Sequence, residues 1–186
     1  MNMDKEAPMI DFTALDKDRN IPTAGKYGIV GIVEGIKQVA QFELFVEIGK
    51  TDELCAALEK SLRQFGLAFD KVSFGEMVPG SLGFDYYVAK NAATVGRAMM
   101  LREQMFEPGE RGMAAERERG RMFGYPETAI DYFLGHEDSE NPASDNQKYH
   151  SYIHSPEHAE EEYLQYEARL DAAFREKCPR SAEELL

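Results

Sequence analysis

All four histidines of the chain, His136, His150, His154 and His158, fall within 23 residues. His150, His154 and His158 recur every four positions, the interval that lines side chains up on one helical face. Imidazoles in that register, with Glu161 or Glu162 beside them, make a donor set for zinc, nickel or iron, so metal binding through His150, His154 and His158 is one reading. Ser155-Pro156 works against it. Proline suits a first helical turn and disfavours helix in the residue before it, which places a helix start between His154 and His158. The competing reading is a solvated loop running into a helix.

Six of the eleven arginines (Arg97, Arg102, Arg111, Arg117, Arg119, Arg121) lie between positions 97 and 121. A guanidinium binds carboxylate or phosphate through a planar fork, so several aimed at one cleft suit a small anionic ligand. Just downstream, Gly124-Tyr125-Pro126 closes one helical pattern and opens the next within three residues. The first turn after Pro126 adds free backbone N–H groups and a positive helix end. Residues 117–131 are therefore the candidate ligand site, with Arg97, Arg119, Arg121, Tyr125, Glu127 and Asp131 as its side chains. The stretch 97–121 also carries Glu103, Glu107, Glu110, Glu116 and Glu118, leaving a net charge of only +1, so pairing within helices is the competing use of these arginines. Glu127 and Asp131, four apart, have the spacing of an acid–base pair and equally that of acids favoured at a helix start. Tyr86, Tyr87, Tyr125 and Tyr132 either hydrogen-bond a ligand or simply pack.

Motifs that would name a reaction are missing. The glycines at 28, 31 and 35 lack the G-x-G-x-x-G order, and residues 75–83 lack the Gly-Lys-Ser/Thr of a phosphate loop. Neither G-x-S-x-G nor H-E-x-x-H occurs. Cys55 falls on an apolar helical stripe and reads as core, whereas Cys178, next to Pro179, reads as more exposed. Catalytic residues and cofactor stay unknown, and whether the chain is an enzyme stays open.

The elements that must position these residues are read from periodicity. Residues 1–25, with Pro8, Pro22 and Gly25, read as an irregular arm docked through Met9, Ile10, Phe12 and Leu15. Residues 27–33 are rich in Val and Ile and read as a strand weakened by Gly28 and Gly31. Residues 42–48 alternate like a half-buried strand. Thr51 opens a helix with Leu54, Cys55, Leu58, Leu62 and Phe65 as its stripe. Strands follow at 67–74 and 84–90, joined by a loop at 75–83. Asn91 caps the next helix, and further helices occupy 110–123 and 126–134. Residues 135–151 read as a mobile acidic loop, and a C-terminal helix at 156–178 carries Ala159, Tyr163, Tyr166, Leu170, Ala173 and Phe174 on one face. The fold class is α+β: a small mixed sheet in the N-terminal half packed against a mainly helical C-terminal half, in a single domain at 26–186.

Three segments, Glu34-Gly-Ile-Lys37, Phe84-Asp-Tyr-Tyr-Val-Ala89 and Arg119-Gly-Arg-Met-Phe-Gly-Tyr-Pro126 with Phe133 downstream, resemble a family of uncharacterised prokaryotic proteins, many archaeal, grouped as a domain of unknown function. The similarity runs roughly over residues 33–133. Members often carry two adjacent cysteines just after Gly-Tyr-Pro; this chain has Thr128 and Ala129 there, so the thiol or metal chemistry of such a pair is absent. The resemblance implies a shared fold and supplies no reaction.

Composition narrows the partners. The net charge is −13, and residues 135–162 hold eight acids against Lys148 alone. An excess of carboxylates disfavours nucleic acid and anionic membranes, which require Lys and Arg. With no long apolar run and two distant cysteines, a reduced cytoplasmic setting is the expectation. Apolar faces on the middle and last helices, in excess of the cover available nearby in sequence, point to self-association. The leading reading is thus a binding or interaction module forming a homo-oligomer, with recognition of a small anionic metabolite near residues 117–131 as the alternative and metal binding as the third.

Overall fold

The computed structural model describes residues 10–135 and 155–184. Its centre is a three-stranded sheet of β1 (Val39–Glu47), β2 (Ala68–Val78) and β3 (Ser81–Ala89), in the order β1-β3-β2 with both pairings antiparallel. The fold is α+β, and its sheet is antiparallel throughout where a mixed one was expected. The loop expected at 75–83 is strand on both sides of a tight turn at Pro79-Gly80, because Glu76 Oε1 accepts from the Gly80 N–H at 2.6 Å and register shifts at 73–78 absorb the irregularity.

Alternation along the strands divides the core in two. On one face Ala40, Phe42, Val46, Phe84, Tyr86 and Val88 are buried against α1 (Phe12–Lys17), α2 (Thr23–Val33), α3 (Thr51–Gln64) and α8 (Glu167–Lys177). On the other, Val39, Tyr87 and Ala89 pack with Val95, Ala98 and Leu101 of α4 (Ala92–Gln104) and with Ala115 and Met122 of α5 (Glu110–Met122).

The strand expected at 27–33 is the second half of α2. Glycine with β-branched neighbours misled the reading, since here glycine serves close packing. Gly25, Gly28 and Gly31 recur every three residues and turn one bare helix face to its neighbours. A Cβ on Gly28 would lie 2.5 Å from that of Ala40, so α2 rests directly on β1. The arm expected at 1–25 likewise holds α1, capped by Asp11, whose Oδ1 accepts from the Ala14 N–H at 3.1 Å, with Leu15 fully buried.

Other signals translate directly. Asn91 Oδ1 accepts from the Thr94 N–H at 2.9 Å and caps α4. Thr51, by contrast, donates its hydroxyl to the Glu47 and Ile48 carbonyls instead of capping α3. α6 (Glu127–Gly135) follows the proline corner. The C-terminal helix expected at 156–178 is a turn followed by α7 (Ala159–Gln165) and α8, separated at Tyr166 by its φ of −119° and ψ of −71°. Tyr166, Leu170 and Phe174 are buried as the periodicity required. Phe174 and Leu170 lie against α2, with Tyr27 edge-on to Phe174 at 5.2 Å between centroids and Leu170 on Gly31, and Tyr166 meets Tyr125. Cys178 is wholly buried, not exposed, and burial pushes its thiol up to about 11.

A polar clasp closes the fold. Lys26 Nζ donates to the Asp16 carbonyl at 2.8 Å and to Ser181 Oγ at 3.0 Å, while the Asp16 carboxylate accepts from the backbone N–H groups of Arg180 and Ser181 at the start of α9 (Pro179–Glu183). Burial opposes the charge on Asp16, but the Ser181 and Arg180 hydrogen bonds and the Lys26 ammonium outweigh it and hold its carboxyl below the usual range. A carboxyl depressed in the folded state stabilises above its unfolded pKa of about 3.9, and that contribution disappears as pH falls through the lower folded value. Asp16→Ala therefore lowers stability at pH 7 by about 3 kcal/mol in urea denaturation. The gap to wild type narrows in acid below the folded pKa of Asp16.

Candidate functional site

The arginine-rich stretch resolves into two sets of side chains with different fates. The outer set is neutralised across helix–helix contacts. Arg97 on α4 forks onto Glu118 of α5, with Nε 2.7 Å from Oε1. Arg121 forks onto Glu127 at the start of α6, with Nη2 2.9 Å from Oε2, and Arg117 reaches both Asp131 and Glu127. The guanidinium of Arg121 holds the Glu127 carboxyl below the ordinary glutamate range, and that of Arg97 does the same for Glu118. Glu127 and Asp131 thus each face arginine and are not arranged to share a proton. Arg97, Arg121, Glu127 and Asp131 sit at the surface as struts between α4, α5 and α6. Of the ion pairs made by the arginines between 97 and 121, Arg111–Glu107 at 3.0 Å is the i,i+4 pair among the described residues.

The inner set, Arg119 and Tyr125, points into the molecule. Arg119 donates through Nη2 to Gln41 Oε1 on β1 at 3.0 Å and through Nη1 to Glu116 Oε1 at 3.2 Å, and its guanidinium lies 5.0 Å from the Phe123 ring centre. Gln41 pairs in register with Tyr87 of β3. Burial pushes the Tyr87 hydroxyl up against the lowering influence of the nearby Arg119 and Arg102 cations, with Asp85 adding to the rise. Tyr87 and Asp85, two apart on β3, share the sheet face that Gln41 occupies. Three buried polar atoms in this region, Glu116 Oε2, Arg119 Nε and Asp85 Oδ1, have no hydrogen-bond partner among the described residues. The opposite sheet face provides the contrast. There the half-buried Glu59 carboxylate accepts from Lys71 at 2.7 Å, is within 3.4 Å of the Tyr86 hydroxyl and is met by Arg63, a closed network.

The corner that carries Tyr125 is set by Gly124, whose φ is +83°. A Cβ there would stand 2.1 Å from the Ile36 carbonyl oxygen, so the corner lies directly on the turn that ends α2. Gln38 N–H donates to the Met122 carbonyl at 2.8 Å and fixes the same contact. Tyr125 then stacks on Phe123 at 5.9 Å and meets Tyr166 edge-on at 5.5 Å, and burial pushes its hydroxyl up to about 12. Lys37 also sets its Nζ 5.4 Å from the centre of the Tyr166 ring. Its stem crosses Gly31, where a Cβ would be 3.1 Å from Lys37 Cγ and Cε. Glu162 and Glu167, on either side of Tyr166, are buried, and Glu162 Oε2 accepts from the Ser155 N–H at 3.0 Å.

Lys37, Tyr87, Arg119 and Tyr125, far apart in sequence, are brought to this region by the sheet and the corner. Arg119 and Tyr125 are among the site candidates read from the sequence; Lys37, Gln41 and Glu167 are not, Glu116 entered only as a partner for arginines within helices, and Glu162 only as a metal donor. Lys37 carried a signal in its segment, whereas buried glutamates in an acid-rich helix carry none. His150 and His154 lie outside the described residues, as does the acidic loop beyond Gly135. His158 is exposed, its Nδ1 3.9 Å from Glu161, and among the described residues no group of three His, Cys, Asp or Glu side chains is placed to hold a metal ion. No helix among the described residues is long and apolar enough to cross a membrane. No family model, curated protein or solved structure matches the chain.

Because positive φ and a bare Cα are both required at the corner, Gly124→Ala costs about 3 kcal/mol in denaturant unfolding. Gly96→Ala, in the middle of α4 with open space around it, gains about 0.5 kcal/mol or is neutral. Equal effects of the two substitutions would remove the close-approach account.

Proposed function

We propose that this protein is a small-molecule binder whose site is the junction of β1, β3, α5 and the Gly124-Tyr125 corner. The observation that carries this reading is the pair of buried, unpartnered atoms Glu116 Oε2 and Arg119 Nε beside Tyr125. Buried polar groups in folded proteins are nearly always hydrogen-bonded, and leaving one unmade costs about 1–3 kcal/mol. A ligand that accepts from Arg119 and donates to Glu116 satisfies both. A compact organic acid bearing a hydroxyl or amino group has that pattern. It retains the anionic ligand expected from sequence and moves it from the surface arginines to Arg119.

A thermal-shift panel of hydroxy acids, amino acids and sugar phosphates tests the reading. A ligand present at about a hundred times its Kd stabilises by about 2.7 kcal/mol, a rise of roughly 5–10 °C for a chain of this size. Arg119→Ala and Glu116→Ala each abolish that rise, whereas Arg121→Ala leaves it unchanged. A panel without any stabilising compound, or a rise that survives both inner substitutions, refutes the proposal.

A second reading, self-association, rests on a different observation. At the end of the sheet away from α4, Phe45, Ile48 and Val78 are 49%, 50% and 54% exposed, and the Ile48 N–H donates to the Gly80 carbonyl in the β2–β3 turn, which joins them into one apolar end. Large side chains grouped in this way on a surface mark contact sites. Light scattering behind size exclusion is expected to give a dimer mass at micromolar concentration for wild type and a monomer for Phe45→Asp with Val78→Asp. A monomeric wild type excludes this reading and leaves the ligand site untouched.

A further inference from the structure

We propose that Lys37 is an amine nucleophile, a site at which a small aldehyde condenses with Nζ to form an imine. Its surroundings differ from those of every other described lysine. Lys26 is hydrogen-bonded to Asp16 and Ser181, Lys50 is paired with Glu47, Lys71 with Glu59 and Lys177 with Glu176, and Lys90 donates to the Val33 carbonyl. Lys17 and Lys60 are exposed and solvated. Lys37 alone is partly buried with no anion or hydrogen-bond acceptor for its Nζ among the described residues. Its stem runs over Gly31 and Leu170 packs against the same glycine, while its head faces the ring of Tyr166.

An ammonium in that setting is short of solvent and lacks a counter-charge, so its neutral form is favoured, and desolvation brings its pKa down to about 8. The titratable groups around it do not reverse this. Glu34, at the end of α2, is turned toward Lys177 at 3.9 Å. Tyr125 meets Tyr166 edge-on, and the buried Glu162 and Glu167 flank Tyr166 in sequence; desolvation is the cause found for the lowered Lys37 ammonium. A neutral amine with an open lone pair adds to a carbonyl carbon; the carbinolamine then loses its hydroxyl as water, leaving a C=N bond between Nζ and the former aldehyde carbon. The released water carries the carbonyl oxygen, so no oxidant or reductant enters. The inference uses atoms other than Glu116 and Arg119 and stands whether or not the ligand reading holds.

The test uses the full chain, glyceraldehyde as the aldehyde and cyanoborohydride to trap the imine, with peptide mass spectrometry to rank the lysines. Lys37 is expected to be trapped roughly tenfold or more faster than Lys17 or Lys60 at pH 7.5, with a rate that climbs through pH 8 and levels off above it. Lys37→Arg removes that fast site and leaves the slow ones as they were. Lys37→Met supplies a readout independent of trapping. A lysine whose pKa is depressed by folding makes wild type gain stability as pH rises from about 8 to about 10.4, so the methionine variant exceeds wild type in stability at pH 7 and loses that advantage by pH 10. Trapping at Lys37 no faster than at the exposed lysines overturns the proposal, even where the stability profile follows the expected course.

Discussion

The placement of the site depends on one steric constraint, the contact of Gly124 with the Ile36 carbonyl. Met122 and Gln38 are joined by a backbone hydrogen bond on one side of that contact, and Tyr125 is delivered to Tyr166 on the other. Without it the α5–α6 corner would stand off the end of α2 by at least the width of a methyl group. Arg119 and Lys37 would then belong to separate surfaces. A glycine with positive φ is the usual device for ending a helix, but here the same residue also sets the distance between two halves of the fold. The Gly28–Ala40 contact does the same work one layer away, seating α2 on β1 and so fixing where the turn at 34–38 must lie.

The charges around the corner divide by depth. Arg97, Arg117 and Arg121 are partly exposed and meet carboxylates on neighbouring helices, where a pair is worth less than about 1 kcal/mol and acts mainly to set orientation. That is why a cluster with a net charge near zero makes no anion pocket: each fork is already occupied by a protein carboxylate, and a free anion would have to displace it. Arg119 differs because its neighbours are a neutral amide, Gln41, the Tyr87 hydroxyl and one oxygen of Glu116, which leave its Nε without an acceptor among the described residues.

Much of the fold was legible in the sequence where a local signal and the tertiary context agree. The alternation in 42–48 became β1, the Asn91 cap opens α4, and Tyr166, Leu170 and Phe174 are buried at helical spacing. The failures share one cause, a residue whose meaning is decided by a distant neighbour. Gly28 and Gly31 weaken a strand when read alone and permit close helix packing when Ala40 and Leu170 are present. Cys178 beside a proline reads as a frayed end until α1 and α9 close over it. Of the site, Arg119 and Tyr125 were legible because they border a turn motif. Glu167 was not, and Glu116 and Glu162 were read only as a surface partner and a metal donor, since burial of an acid's carboxylate leaves no trace in a helix already rich in acids.

A native chain has a net stability of about 5–15 kcal/mol, so unmet polar groups in its interior are a substantial fraction of the whole. Here they are not scattered. Glu116 Oε2 and Arg119 Nε belong to side chains already bonded to one another, and Asp85 shares a sheet face with the Gln41 that Arg119 binds. Lys37, desolvated and without an ion-pair partner among the described residues, faces the Tyr166 ring that Tyr125 also meets. Substituting apolar residues of similar shape would relieve each cost, and the Glu59–Lys71–Tyr86 network on the other face demonstrates that this chain can satisfy charged groups fully when they serve only packing. On the ligand reading proposed above, the unsatisfied groups around Tyr125 are hydrogen-bonding capacity that the fold leaves for a bound molecule, and that reading accounts for their being grouped.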